Sequence, residues 1–423
     1  MSKDWDQKQR EAIRRCTDIA DRLVPVSGKA GTGKTSIIAD VHGVLTQSGY
    51  TVGVSAPTGK AAKRIKEATG IDAVTNHRLL GFGFPFEREV TQIDGHVERT
   101  VLPSEPSFDA KNRLPFDVLL CDEYAMVTQD MHRKIIAAMK RGSVIRMFGD
   151  VNQLKPIEEF HDNAPSAFET MLKKFHGVVL EQQHRAGEGS GIVENAGRIL
   201  QGNVPSRRPD FSLIMTQLPV KSLQDTIVEK LSQGIDFSSP DHQVITCMNP
   251  SWVGVARLNP LLQSMFWKRE HDAMELPRWA SDKQPVRVQV TSKVVYTANT
   301  YDLGNGQYAL NGEVGTVVAL DHDTGEVTID LGDRTIVVPP LLVVPSSKGY
   351  TEIDPRCNIQ LAYALTTHKM QGSEAGHVIY VMNKSVRFGL NRRNFYTGVT
   401  RARNNCTVIT DQPALQKALR DPG

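Results

Sequence analysis

Cysteine is scarce: five occur in 423 residues, at positions 16, 121, 247, 357 and 406. The count is odd, and no pair has C-x-x-C or other metal-ligand spacing. That excludes a disulfide framework and a cysteine-built zinc site, and it fits free thiols in a reducing compartment. There is no N-terminal apolar segment and no long apolar run, so neither secretion nor membrane spanning is expected. Net charge is small, at +3. The chain as a whole is therefore not a strongly basic binder, and any nucleic-acid surface must come from local clustering. Internal repeats and low-complexity tracts are also missing. What remains is ordinary globular material, 40% hydrophobic and 23% charged, long enough for about three domains of roughly 150 residues each.

The most informative stretch present is Gly28-Lys29-Ala30-Gly31-Thr32-Gly33-Lys34-Thr35. It is a complete phosphate-binding pattern, G-x-x-x-x-G-K-T. Leu23 to Val26 before it read as a short buried strand, and Ser36 to Val41 after it as a helix, the context that the pattern requires. The loop backbone around Gly28, Gly31, Thr32 and Gly33 can turn its N–H groups onto phosphates, and the helix start adds its positive end. Lys34 is placed to bridge the outer phosphates and the Thr35 hydroxyl to ligate Mg²⁺. With the full pattern and both flanks present, a chance glycine-rich turn is disfavoured.

Val118 to Cys121 form an apolar run that ends in Asp122 and Glu123. A buried parallel strand delivers acids to the carboxyl edge of its sheet in this way. Asp122 would hold Mg²⁺ through water, and Glu123 would polarise an attacking water. Val144 to Gly149 read as a further strand, followed by Asp150 and then Gln153. The Gln153 amide can both donate and accept, which suits a sensor of the terminal phosphate; a plain strand and turn is the competing account. Near the N-terminus, Asp6 is a candidate N-cap for a helix that carries Gln9. A glutamine upstream of a phosphate loop can read the adenine edge, although spacing alone favours a surface position for Gln9.

With these residues in hand, the chain resembles superfamily 1 helicases, and more closely their 5′-to-3′ branch, which includes the RecD-like enzymes and the phage Dda helicase. The likeness runs along most of the chain in the correct order. Gln9 falls in the adenine-reading motif. Ala56 to Ala62 match the first DNA-contacting motif. Thr75 to Gly81 resemble the next, with Asn76 where an aliphatic residue is usual. Asp122-Glu123 and Gly149 to Pro156 follow, with Tyr124 where a small residue is usual. Leu180 to Arg185, Leu361 to Glu374 and Phe395 to Arg403 complete the set. The resemblance implies that Arg185 and Arg401 reach the phosphates from a second domain. It also implies that Gln371 to Glu374 line the nucleotide site, with Gly372 and Glu374 among the nucleotide contacts. Thr58, Lys60, His77, Asn299, Thr367 and His368 are its implied DNA contacts.

The fold expected is α/β: two RecA-like motor domains, each a parallel sheet with helices on both faces, carrying two insertions. Residues 1–76 and 117–176 are assigned to the first motor domain and 177–283 with 351–423 to the second. Within 77–116, Asp94-Gly95 between alternating segments signals a hairpin, which in related helicases is the pin that splits the duplex. Phe82, Phe84 and Phe86 precede it, as base-stacking wedges or as packing for a small subdomain. Within 284–350, five short β segments, at 286–290, 293–297, 315–321, 326–331 and 335–338, suggest an SH3-like barrel.

The expected function is ATP-dependent DNA unwinding, with 5′-to-3′ translocation on single strands supplied by the resemblance. ATP and Mg²⁺ are the expected cofactors, and single-stranded and duplex DNA the partners. Single-strand-binding, replication or recombination proteins are further candidate partners. A monomer in the cytoplasm of a bacterial or phage-infected cell is the matching expectation. No nuclease constellation is apparent. An RNA-directed helicase and a nucleotide-gated accessory subunit of a larger complex are the alternatives.

Overall fold

The computed structural model describes residues 5–82, 86–91, 97–102, 105–156, 165–182, 190–278, 286–346, 349–386 and 388–423. Its first sheet has six parallel strands in the order Val74–Thr75, Val52–Ala56, Val118–Cys121, Val144–Gly149, Leu23–Gly28 and Val178–Leu180. Two of these strands, Val118–Cys121 and Val144–Gly149, are buried along their whole length. Side chains alternate across a strand, so one apolar run feeds two cores. Val118 and Leu120 join Val24, Val26, Ile37 and Ile65 on one face, while Leu119 and Cys121 join Ile135, Ile145, Met147 and Phe168 on the other.

A second sheet has five parallel strands, ordered Ala364–Thr366, His242–Thr246, Ala375–Val381, Ala402–Thr410 and Phe211–Met215. One apolar cluster, including Ile199, Phe211, Val244, Ile379, Phe395, Val408 and Leu415, packs helices against it. Among the described residues no helix is long and apolar enough to cross a membrane.

Further antiparallel β bodies are attached. Phe86–Thr91 pairs antiparallel with Val97–Leu102, a hairpin at the position that Asp94-Gly95 signals; that dipeptide itself lies outside the described residues, as does Phe84. The second body is a five-stranded antiparallel sheet, ordered Thr335–Val338, Val327–Asp330, Val314–Leu320, Lys293–Tyr296 and Ile359–Leu361. All five expected β segments of this region form. However, Val286–Gln289 pairs with Ala273–Leu276 in a separate ribbon, and the fifth place in the sheet goes to Ile359–Leu361. The β body therefore reaches beyond residue 350. The first sheet likewise reaches beyond 176, because Val178–Leu180 pairs with Leu23–Gly28. Pairing partners distant in sequence decided both limits, and local composition carries no record of them.

One buried charge ties the first sheet to its N-terminal helix. Arg146 lies on a central strand and is fully buried. Its guanidinium donates to the carbonyls of Cys16, Asp18 and Asp21, where the helix Gln7–Thr17 ends. Burial presses against its charge, and these carbonyls replace the lost water. Arg146→Met should leave them unsatisfied and cost about 2–4 kcal/mol, measured as a lower urea midpoint with an unchanged slope.

Candidate nucleotide site between the two sheets

The phosphate loop joins the strand Leu23–Gly28 to the helix Lys34–Gln47. Gly31 and Gly33 both have φ of 83°, in the left-handed region. A side chain on Gly33 would also strike the Gln9 amide, 2.8 Å from where its Cβ would stand. Only glycine allows that backbone to close. The Lys34 ammonium lies in the hollow of the loop, donating to the carbonyls of Gly28 at 2.7 Å and Lys29 at 3.2 Å. Thr32 is buried, with its hydroxyl on the Lys29 carbonyl at 2.9 Å. Thr35 follows in the first helical turn, half-buried.

Gln9 is not the surface residue that its spacing favoured. It is 2% exposed. Its side-chain oxygen accepts from the Asp6 backbone in a capping box, and its NH₂ donates to the Thr32 carbonyl at 3.1 Å. It therefore ties the N-terminal helix to the phosphate loop.

Asp122 and Glu123 stand at the carboxyl end of the strand two places from the phosphate-loop strand. Val144–Gly149 lies between the two and brings Asp150 to the same edge. Asp122 is buried, and its carboxyl is pushed up to about 6, first by burial and then by the charge of Glu123, against the pull of Lys34. Glu123 has φ of 47°, a costly left-handed turn for a non-glycine residue. That turn starts the short helix Tyr124–Met126 and leaves one buried Glu123 carboxylate oxygen without a hydrogen-bond partner. Gln153 is 3% exposed, and its side-chain oxygen is likewise unpartnered. Tyr124, unusual at its position, fills the core beneath this turn. Its hydroxyl is 2.9 Å from the ring nitrogen of His132, and its ring packs on Phe168.

The second sheet contributes the opposing wall. Arg401 is 2% exposed, and its guanidinium is held by the carbonyls of Thr397 at 2.9 Å and Ser373 at 3.3 Å. Burial weakens its charge most, while Glu123 across the cleft and Glu374 support it. The helix Arg392–Val399 grips the segment after Gly149. The Tyr396 hydroxyl donates to Asp150 at 2.8 Å, and the Thr397 hydroxyl accepts from the Leu154 backbone at 3.1 Å. Arg393 donates to the Val151 carbonyl at 2.9 Å and to Glu169 at 2.6 Å. The Gln371 amide donates to the Leu154 carbonyl at 3.0 Å. Gly372, with φ of 72°, is seated where a Cβ would lie 3.5 Å from Thr58 and Ala61. Glu374 pairs with Arg64 at 3.1 Å. Arg185 lies outside the described residues.

Tyr396, Arg393 and Thr397 were not singled out from the sequence, although all but Arg393 stand inside the motif Phe395 to Arg403. The missed signal is helical spacing: 393, 396, 397, 400 and 401 share one face, and most are polar.

The expected DNA contacts are dispersed. Thr58 is the N-cap of Gly59–Thr69, its oxygen accepting from the Ala61 backbone. Lys60, in the first turn of that helix, is partly buried, which draws its ammonium down to about 8. His77 is exposed, with its ring edge-on to Phe82 at 5.2 Å; Phe82 thus packs against neighbouring side chains. Asn76 is 1% exposed, with neither amide atom hydrogen-bonded, a polar group where an aliphatic residue would cost nothing. Asn299 holds the Asn311 backbone at 2.9 Å. His368 is half-buried. Thr367 is fully buried inside the second sheet, where its hydroxyl donates to the Thr246 carbonyl at 3.3 Å. That places it in the core, away from any surface.

The raised Asp122 value sets a sign. Its folded pKa lies above the ordinary 3.8, so ionising it costs the native state stability as pH rises from about 4 to about 6. Asp122→Asn should therefore raise the melting temperature of the ligand-free protein at pH 7.5, by on the order of 2 kcal/mol in stability. The difference should vanish below pH 4. Thermal scans with Mg²⁺ and nucleotide should reverse the order at pH 7.5, because only the wild type keeps a carboxylate for the cation.

Comparison with known proteins agrees with this geometry. Residues 4–210 match the AAA domain family and residues 361–409 the UvrD-like helicase C-terminal domain family. The chain is 28% identical over 384 residues to the ATP-dependent RecD2 DNA helicase of Deinococcus radiodurans, a match covering 90% of this chain and 46% of that protein. It is 26% identical to the RecBCD enzyme subunit RecD of Mycolicibacterium smegmatis, covering 98% of this chain and 72% of that one. The chain thus spans less than half of the first relative. Among solved structures, the Bacteroides Pif1 helicase in complex with ADP-AlF3 and ssDNA superposes with a TM-score of 0.60 at 21% identity, covering 98% of this chain and 94% of that chain. Candida albicans Pif1 helicase gives 0.58 at 17% identity, covering 98% and 96%. At such identities the structural likeness is one of fold, the paired parallel-sheet motor architecture. The two family matches in chain order and the RecD relatives along nine-tenths of the chain, with this shared fold beside them, support a likeness to the RecD-like branch of superfamily 1B helicases.

Proposed function

We propose that this protein is a DNA helicase that hydrolyses ATP with Mg²⁺ between its two sheets, steps 5′ to 3′ along single-stranded DNA and parts the duplex ahead. The observation that carries the reading is Arg401, a buried cation from the second sheet within electrostatic reach of Glu123 on the first. A terminal phosphate between them would meet a base for water on one side and a charge-neutralising arginine on the other. Arginines so placed are worth about 10³–10⁵ in rate.

The residues present suit a magnesium nucleotide. Glycines at positive φ open the loop to phosphate oxygens, and Lys34 already lies in that hollow. Thr35 offers a hydroxyl and Asp122 a carboxylate, a sparse donor set typical of Mg²⁺ that keeps most of its water. Magnesium, when bound, neutralises charge on the outer phosphates. Glu123 is left with an unpaired buried oxygen to orient and deprotonate water, and Gln153 with an unpaired amide oxygen to read the terminal group. Arg185 takes a second arginine role by resemblance. Closure of the two walls then depends on the terminal phosphate, so its loss is converted into relative motion.

For the DNA side, Thr58, Lys60, His77 and His368 lie at or near strand ends, where sequence-independent phosphate contacts suffice for a motor. The hairpin Phe86–Thr91 and Val97–Leu102 is assigned as the pin, and the five-stranded β body as an SH3-like clamp over the single strand. Relatives named as a DNA helicase and as RecD subunits support the DNA substrate. The subunit names also favour a second reading, in which this motor acts within a larger assembly.

The deciding test is ATP-driven unwinding by the isolated chain of DNA duplexes with a 5′ or a 3′ overhang, with RNA duplexes in parallel. Unwinding of the 5′-tailed DNA alone is expected; preference for the 3′ tail or for RNA overturns the reading, and inertness favours the subunit. Lys34→Ala should reduce ATP turnover about 100-fold or more. Deleting 90–101 should leave translocation on single strands intact while unwinding falls, as followed by fluorescence at a labelled fork.

A further inference from the structure

One helix of the first body, Gly59–Thr69, touches two others at once. Its N-cap Thr58 and first-turn Ala61 receive Gly372 from the second sheet. One turn on, Arg64 forms its ion pair with Glu374, 3.1 Å away, with the carboxylate only 14% exposed. The adjacent Lys63 reaches the β body, pairing with Asp333 at 2.7 Å and Glu313 at 3.5 Å. Arg334 holds the same Glu313 at 2.7 Å.

The loop that carries Glu374 is fixed at both ends to the nucleotide walls. Gln371 bonds the Leu154 carbonyl at 3.0 Å, and the Ser373 carbonyl accepts from Arg401. Arg64 is also near enough for its charge to act on Asp122 and on Arg401. Displacement of this loop by nucleotide would therefore pull on Arg64, and with it the helix whose first turn presents Lys60. A rigid, planar guanidinium held on a half-buried carboxylate transmits such a pull where a flexible ammonium would not.

We infer that Arg64 is a positioning residue that couples the nucleotide cleft to DNA grip, by fastening Glu374 of the second sheet to the helix Gly59–Thr69 of the first. This rests on the helicase reading above. In that reading the loop Gln371 to Glu374 follows the nucleotide, and Arg64 converts its position into the position of Thr58 and Lys60.

The test is thermodynamic. The affinity of the full chain for a single-stranded oligonucleotide is measured with and without a non-hydrolysable ATP analogue and Mg²⁺. For the wild type the two values should differ. Arg64→Gln should bring their ratio about tenfold closer to one, while nucleotide affinity without DNA changes less than about threefold, a bound far below that coupling. Glu374→Gln should shrink the ratio in the same way, and the charge-exchanged pair R64E with E374R should recover at least half of the lost logarithm. Arg64→Lys keeps the charge without the rigid guanidinium and should fall between, a second readout should Arg64→Gln not fold. A wild-type ratio in Arg64→Gln or Arg64→Lys overturns the inference alone. So does a loss carried wholly by DNA-free nucleotide affinity, which would make Arg64 a direct ligand. A ratio of one in the wild type itself overturns the parent reading as well.

Discussion

The grip of the helix Arg392–Val399 on the segment after Gly149 holds the two sheets to one another. Asp150, Val151 and Leu154 belong to the first sheet's carboxyl edge, and Tyr396, Arg393 and Thr397 hold them from the second. These bonds are short and mostly shielded from water, so they act at low dielectric, where a polar network is worth more and breaking it costs more. Tyr396 is its centre. Its phenol is kept protonated, well above its ordinary range, by burial and by the charge of Asp150. The phosphate-loop backbone at Ala30 also reaches this hydroxyl. A single side chain of the second sheet thus senses both the loop and the edge beside it.

Within the cleft so formed, several charged and polar groups are held in places that suit them poorly on their own. Asp122 is raised by burial beside Glu123, the Arg401 charge is pressed by burial, and the oxygens of Glu123 and Gln153 lack partners. Each is a local cost to the protein by itself. All would be relieved by the ligand proposed above, an anion that brings its own divalent cation. Such sites, at odds with local stability, are where pre-organisation for chemistry is stored.

How far this could be read from residues alone differs between elements. The phosphate loop was legible because its glycines answer a backbone demand that only glycine meets. The acids after Val118–Cys121 were legible because a fully apolar run has to end at a sheet edge. Gln9 was placed by family likeness, whereas spacing pointed outward; burial came from the Thr32 carbonyl, 23 positions away. Val286–Gln289 formed a strand as its pattern required, yet joined a ribbon and not the five-stranded sheet. Thr367 carried a motif's expectation to the surface, while the register of Ala364–Thr366 beside His242–Thr246 turned it inward.

The order of residues settles the parts that obey short-range rules: the loop–helix geometry at Gly28 to Thr35, the burial of the parallel strands, the hairpin and the β texture near residue 300. It also determined which side chains carry charge into the cleft. Their meeting is a product of the folded molecule. Arg401 comes within electrostatic reach of Glu123, Tyr396 meets Asp150 and Arg64 meets Glu374 because two separately wound sheets are brought together, 246 positions apart along the chain in the case of Tyr396 and Asp150. Local propensity reaches only a few residues. The docking energy is a sum over distant surfaces, and no window of sequence contains it.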